Sequence, residues 1–224
     1  MKYEEFIKSI KNFEDSFWFG EYVYFKALEM LKEVRENLAI LKKEEHVKQI
    51  IKMFLAQWGR MGRTVDRKDL DWKQLTEQLR NSKESFQKLQ GKTFLDINLE
   101  DKEIADAIIK CYSSAKVDYI GATAISKILH LLNPELFVMW DDDIRRKYKV
   151  AGGAKGYLEF LKLVKREVEE AIEEEAKKSG CNKKEIVERI CRELPSNKLG
   201  REYGRKTLAK LIDEYNWWVV HYGV

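Results

Sequence analysis

The chain has few prolines, cysteines and histidines, and each shortage excludes a class of structure. Its 224 residues include two prolines and three cysteines, and so few prolines leave room for long uninterrupted helices. The cysteines, Cys111, Cys181 and Cys191, are odd in number and lack C-x-x-C spacing. This spacing argues against a disulfide framework and against a zinc site. We therefore expect buried or idle thiols, no metal site and no cofactor.

Long apolar runs are also missing. The densest apolar stretch, from Ile125 to Trp140, is interrupted by Lys127 and His130, whereas a membrane span needs roughly 18 apolar residues in succession. The N-terminus mixes charges of both signs and has no apolar core of a secretory signal. These observations predict an intracellular protein with no membrane partner.

Charges of both signs and apolar residues are abundant. The chain has 42 Lys and Arg residues, 38 Asp and Glu residues and 44% hydrophobic residues. Such a chain folds, because the apolar fraction is ample and the charges nearly cancel. The length suffices for one core or for two small lobes that share one. Because the net charge is only +4, any binding of nucleic acid must use a local group of basic residues.

Apolar residues recur three or four positions apart along most of the chain, which is the spacing of amphipathic helices. No segment alternates with the period of two that strands require, and no internal repeat is visible. The class predicted is therefore all-α, in a single domain over 1–224. The helices are expected at about 3–13, 22–41, 50–58, 72–89, 101–112, 122–132, 141–148, 154–178, 183–194 and 201–221.

The common catalytic motifs are absent. The sequence has no G-x-S-x-G, no phosphate-binding G-x-x-x-x-G-K-S/T and no H-E-x-x-H. The three histidines, at 46, 130 and 221, stand apart, so no histidine-centred site is predicted. We expect His130, in an apolar segment, to pack or to form hydrogen bonds in the core.

One constellation stands out, within about residues 101–148. A predicted helix is followed by the turn Val117-Asp-Tyr-Ile-Gly121, a second helix, a short apolar crossing, and Asp141 at the start of another helix. This order describes a helix–hairpin–helix element followed by a carboxylate. The backbone N–H groups at Gly121, Ala122 and Thr123 begin the second helix, where they can hold a nucleic-acid phosphate.

This segment resembles the helix–hairpin–helix DNA glycosylase superfamily, which includes endonuclease III and the 8-oxoguanine glycosylases. Asp141 follows Gly121 by 20 residues, which is the family's distance from the last hairpin glycine to its catalytic Asp. The closing stretch from Leu211 to Gly223 also looks like the last helix of archaeal 8-oxoguanine glycosylases. The resemblance implies two interlocked helical lobes with a cleft near Asp141, and a DNA rather than an RNA partner.

The chain also departs from the family. Its hairpin keeps only the final glycine of the usual L-P-G-V-G, and Thr123 stands where the bifunctional members carry a Schiff-base lysine. No counterpart exists for the iron–sulfur cysteines of some members. The resemblance therefore implies a monofunctional enzyme without a cluster. Lys127, one helical turn beyond Thr123, either points along the same side or is a surface charge.

Breaking an N-glycosidic bond builds positive charge on the sugar, which a carboxylate such as Asp141 can stabilise while it orients a water molecule. The base must first be flipped into a pocket, for which Trp58 and Trp140 are candidate walls. Candidate phosphate contacts are Arg60, Arg63, Arg145 and Arg146. In the plainer interpretation, Asp141 is only a helix N-cap, the tryptophans pack in the core and the arginines are ordinary solvated charges.

The sequence thus favours a monofunctional DNA glycosylase that acts on a damaged or deaminated base. A non-catalytic nucleic-acid-binding or adaptor protein on the same fold is the alternative. A chance match in an unrelated helical protein is the third possibility.

Overall fold

The periodic segments form helices, as predicted. The structure, a computed structural model, describes residues 1–17, 20–32, 44–194 and 205–223. Within these ranges it contains twelve α-helices and no strand, so the all-α class is confirmed. The helices are α1 Tyr3–Phe17, α2 Glu21–Met30, α3 Glu44–Met53, α4 Gly62–Val65, α5 Trp72–Asn81, α6 Lys83–Leu89, α7 Lys102–Ser114, α8 Ala122–Leu132, α9 Asp142–Tyr148, α10 Ala154–Ser179, α11 Lys183–Glu193 and α12 Leu208–Tyr222.

Local side-chain chemistry sets several of the helix ends. The N-caps of α7 and α11 are Asp101 and Asn182, whose side chains accept hydrogen bonds from backbone N–H groups of the first turn. Gly180 ends α10 in the left-handed conformation, with φ of 71°, which glycine adopts without steric cost. The expected helix over 72–89 is divided at Ser82 into α5 and α6.

Two predicted helices are shorter in the structure or only partly described. The expected helix over 22–41 is observed as α2, which ends at Met30, and 33–43 lie outside the described residues. The last helix begins at Leu208 rather than at 201, because the Thr207 side chain caps it by accepting a hydrogen bond from Lys210 N. Residues 195–204 are likewise outside the described part.

One continuous apolar core joins the helices. The first and last helices, α1 and α12, pack on each other, and α10 packs on α7. His130 is fully buried, with its ring nitrogens 2.6 Å from Phe137 O and 2.9 Å from Tyr24 Oη. The prediction that His130 is a hydrogen-bonded core residue is therefore confirmed. Among the described residues, no helix has the length and apolar character of a membrane span.

Candidate functional site

A cavity of about 230 Å³ lies where six elements meet: α1, α2, the end of α3, α8, α9 and α12. Its lining combines aromatic rings with charged side chains, a combination typical of a ligand site. The lining residues are Phe13, Phe17, Gly20, Glu21, Gln57, Trp58, Gly59, Arg60, Lys127, Trp140, Asp141, Ile144, Asp213 and Trp217.

Asp141 borders this cavity at the point where the fixed residue Trp140 leads into α9. The Trp140 indole Nε1 donates a hydrogen bond to Ala122 O (3.1 Å), and Ser126 Oγ lies 3.2 Å from Trp140 N, so this segment is attached to α8. The Asp141 carboxylate itself caps α9, since its Oδ1 accepts from Ile144 N at 2.8 Å. Its Oδ2 lies 4.0 Å from His221 Nε2, and the side chain is 28% exposed. One oxygen is thus structural, while the carboxylate as a whole borders the cavity.

Trp58 lies at the end of a π-helical turn, Phe54–Trp58, that continues α3. Such turns are rare in proteins overall, but those that occur are often found at functional sites. The Trp58 ring stacks on Phe54 with centroids 4.9 Å apart, and its Nε1 donates to Glu21 Oε1 at 3.3 Å. Arg60, two residues on, has φ of 53°, a conformation that non-glycine residues rarely adopt. The turn therefore presents an oriented indole and an arginine to the cavity.

Lys127 is a lining residue rather than a surface charge. Its Nζ lies 3.4 Å from Gly59 O and 5.1 Å from the centre of the Trp58 ring. Burial lowers the pKa of Lys127, although Asp213 and Asp141 oppose the shift. The lysine thus places an amino group in the same cavity as two aspartic acids and beside an aromatic wall.

Asp213 and Trp217 face the cavity from one side of α12. Asp213 is 8% exposed, and burial raises its pKa to about 7 against the opposing effects of Lys210 and Lys127. Trp217 packs edge-on against Phe17, with centroids 4.9 Å apart. The cavity therefore holds a second carboxyl group and a second indole that the sequence interpretation did not assign to the site.

A buried charge cluster lies behind the cavity. It consists of Glu14, Glu21, Glu214, Lys206 and Lys210, whose side chains are at most 2% exposed. Lys206 Nζ lies 2.8 Å from Glu21 Oε2 and 2.6 Å from Glu214 Oε1, and it also pairs with Glu14. Lys210 Nζ lies 2.5 Å from Glu214 Oε1. Buried charges on this scale are stable only when they are mutually compensated.

Protonation of one carboxyl lowers the negative charge of the cluster. Among the described residues, its three carboxyl groups face its two ammonium groups. Burial and the nearby Glu214 raise the pKa of Glu14 to about 8. Burial also disfavours the charged form of Glu21, but Lys210 and Lys206 outweigh it and lower the pKa of Glu21 to about 2. At neutral pH Glu14 is therefore largely protonated, which lowers the negative charge of the cluster.

The free energy of unfolding is expected to fall by about 3 kcal/mol between pH 5 and pH 8 because of Glu14. In the folded state Glu14 keeps its proton up to about pH 8, whereas its ordinary pKa is 4.5. Unfolding therefore releases a proton in this window, and stability decreases as pH rises. Urea unfolding at several pH values measures the slope.

Glu14→Gln has no proton to lose, so its stability should change less over the same window. Glu4→Gln is the control, because Glu4 is exposed and its pKa is lowered by Lys178, which places its titration below pH 5. Equal slopes for Glu14→Gln and the wild type would contradict the assignment.

The predicted phosphate-binding turn lies between α7 and α8. Gly121 is the N-cap residue of α8, with no side-chain cap, and Ala122 and Thr123 form the first turn. Ile120 N donates to Val117 O at 3.1 Å, and Tyr119 has φ of 68°. The left-handed residue thus falls at the position of the first glycine in the pattern L-P-G-V-G. Tyrosine replaces glycine at that position, but its backbone adopts the left-handed conformation that glycine favours.

The other predicted residues are divided between the cavity and its surroundings. Trp140 is 1% exposed and packs edge-on against Tyr157, with centroids 5.0 Å apart, so its indole supports the site from behind. Arg145 lies over the Trp140 ring and pairs with Asp142 at 2.5 Å. Arg146 pairs with Asp143, and Arg63 is exposed on α4. Of the four predicted arginines, Arg60 is the one that lines the cavity.

Comparisons with protein-family models, with curated proteins and with solved structures found no match for this chain. Among the described residues, no group of His, Cys, Asp and Glu has the arrangement of a metal site. The chemistry of the cavity must therefore be inferred from its own side chains.

Proposed function

We propose that the protein is a DNA-repair glycosylase that hydrolyses the N-glycosidic bond of a damaged or deaminated base and has no lyase activity. The observation that carries this proposal is that Asp141 and Trp58, distant in sequence, line the same cavity. A glycosylase needs a carboxylate beside the sugar and an aromatic surface beside the flipped base. Both are present in a cavity with room for one nucleobase.

The helix contacts support the two-lobed arrangement that the resemblance implies. One group consists of α2, α3 with its π-helical turn, α4 and α5, and the other of α1 and α9–α12. The N-terminal helix belongs to the second group, so the chain crosses between the lobes. In this arrangement, α7 and α8 with their turn form the helix–hairpin–helix element, and the cavity is the cleft.

In the proposed reaction, the bond between C1′ of the sugar and the base breaks and its electron pair leaves with the base. The Asp141 carboxylate stabilises the resulting sugar cation and orients a water molecule, which adds to C1′ and leaves an abasic site. Trp58 and Trp217 provide stacking surfaces. Thr123 stands at the family's Schiff-base position, which is why base release without strand cleavage is proposed.

Phosphate contacts are proposed at two places. The N–H groups at the start of α8, at Gly121, Ala122 and Thr123, suit one phosphate of the strand. Arg60 lies at the cavity, next to the position of a flipped nucleotide. Because the net charge of the whole chain is only +4, these local contacts must supply the attraction for DNA.

The decisive variant is Asp141→Asn, expected to reduce base release by about 10²- to 10⁴-fold. Asn caps a helix as well as Asp does, so α9 is retained while the charge is removed. The assay uses duplex and single-stranded oligonucleotides that carry uracil, hypoxanthine, 8-oxoguanine or 7-methylguanine, with alkaline cleavage to reveal abasic sites.

The matched control is Asp142→Asn, one residue further along and 69% exposed. It removes the same charge from the same helical turn and should release base at nearly the wild-type rate. Equal losses in both variants, or no release of any base by the wild type, would contradict the proposal.

A non-catalytic nucleic-acid-binding or adaptor protein is the second candidate. It is favoured by the hydrogen bond from Ile144 N to Asp141 Oδ1, because a purely structural cap would explain the carboxylate. Salt-dependent DNA binding by a wild type that releases no base would support this candidate. Absence of both binding and base release would exclude both functions.

A further inference from the structure

A second carboxyl group faces the cavity from a different helix than Asp141. Asp213 lies on α12 and is 8% exposed. Its ion pair with Lys210 spans 3.9 Å from Oδ2 to Nζ, which is beyond hydrogen-bond distance. Lys210 lies much closer to Glu214, at 2.5 Å. The lysine therefore makes its short contact within the charge cluster and acts on Asp213 at longer range.

The surroundings of Asp213 are of mixed charge and largely closed to water. The titratable and charged groups around it are Lys127 of α8, Asp141 before α9, Glu21 and Tyr24 of α2, Tyr157 of α10, Lys210 and Glu214 of α12, and Arg60 of the turn after Trp58. Burial outweighs the two lysines and raises the pKa of Asp213 to about 7. A substantial fraction of this carboxyl is therefore protonated at neutral pH.

Asp141 differs from Asp213 in exposure and in hydrogen bonding. Its side chain is 28% exposed, and its Oδ1 accepts a hydrogen bond from Ile144 N. One site thus holds two carboxyl groups in different environments, a buried one and a partly exposed one, and glycoside hydrolysis generally uses two carboxyl groups with different roles.

We propose that Asp213 is the general acid that protonates the departing base, and that the site consequently acts on uncharged purines. This inference rests on the proposed function and adds a second catalytic residue and a substrate class to it. An uncharged base leaves as an anion unless it gains a proton. The ring nitrogens of a purine can accept one.

In the proposed step, every atom and electron is accounted for. The electron pair of the C1′–N bond passes to the base while the Asp213 proton moves to a ring nitrogen, so the base departs neutral. Water adds to C1′, and its proton passes through Asp141 to solvent. Asp213 regains a proton from solvent, so one water is consumed for each base released.

The test compares two kinds of leaving group. Hypoxanthine and 8-oxoguanine are uncharged, whereas 7-methylguanine already carries a positive charge in the nucleotide and leaves neutral without an acid. Single-turnover release is measured for the wild type, Asp213→Asn and Asp141→Asn. Asp213→Asn should slow release of the uncharged purines by about 10²- to 10⁴-fold and that of 7-methylguanine by less than about threefold. Asp141→Asn should slow the release of all three bases.

The pH profile of the wild type gives a readout that needs no folded variant. Release of the uncharged purines should decline above about pH 7, as Asp213 loses its proton, and release of 7-methylguanine should not show this decline. If 7-methylguanine is not released, the decline for the uncharged purines and its absence in Asp213→Asn support the assignment.

Three results would overturn the inference while the proposed function stands. One is an equal loss on both kinds of base in a folded Asp213→Asn, as checked by thermal unfolding. Another is a wild-type rate on the uncharged purines that stays constant through pH 7. The third is release confined to uracil or to 7-methylguanine. If no base at all is released, the proposed function itself fails.

Discussion

Lys206→Met is expected to lower the free energy of unfolding by about 3–5 kcal/mol, because it removes one of two ammonium groups from a fully buried cluster. The Lys206 side chain is 0% exposed and pairs with Glu14, Glu21 and Glu214. Methionine fills a similar volume but leaves carboxylate charge without compensation. Urea unfolding at pH 7 measures the loss.

The control for this variant is Lys178→Met. Lys178 pairs with Glu4 at 2.6 Å, but the two side chains are 66% and 64% exposed. Exposed ion pairs contribute about 0–1 kcal/mol, so this change should be small. Similar losses in the two lysine variants would show that the cluster contributes no more than a surface pair.

Gly59→Ala is expected to destabilise the protein by about 1–3 kcal/mol and to displace Trp58 from the cavity. A Cβ atom at Gly59 would lie 2.6 Å from Leu55 O, and neither the α3 backbone nor the π-helical turn can move without shifting the other. Gly59 N also donates to Phe54 O at 2.9 Å, which closes the turn. Base release should therefore fall together with stability.

Gly121→Ala is the matched control for this second change. Nothing lies within 4 Å of a Cβ at Gly121, and its φ is −81°. Its stability should change by less than about 1 kcal/mol, because only an N-cap preference is lost. An equal effect of both substitutions would mean that the close approach at Gly59 has no energetic consequence.

The sequence predicted local features well. The spacing of apolar residues predicted the helices and the all-α class, because a helix is stabilised by hydrogen bonds between residues near in sequence. Asp141, directly before α9, was recognised as a possible N-cap residue, and in the structure its side chain caps that helix. The burial of His130 followed from its apolar neighbours in α8. Each of these properties depends on a few adjacent residues.

Asp141 and Trp58 were predicted as parts of one site because of the family resemblance, not because of their spacing in the sequence. The two residues line one cavity because α3, α8 and α9 meet in space. The spacing of residues along the chain does not specify that meeting. Asp213 and Trp217 lie in the closing stretch that carried part of the family resemblance, but neither was predicted as a site residue. They lie four residues apart and so share one face of α12.

The charge cluster is the feature that only the tertiary structure decided. Lys210 and Glu214, four residues apart on α12, have the sequence pattern of an ordinary solvated pair. The partners that bury them are Glu14 and Glu21, which are brought in by α1 and α2 from the other end of the chain. Helix formation is encoded locally, but whether a charged side chain meets water or another helix is set by the surface that packs against it. That opposing surface fixed the protonation of Glu14 and Asp213, and with it the chemistry proposed for the cavity.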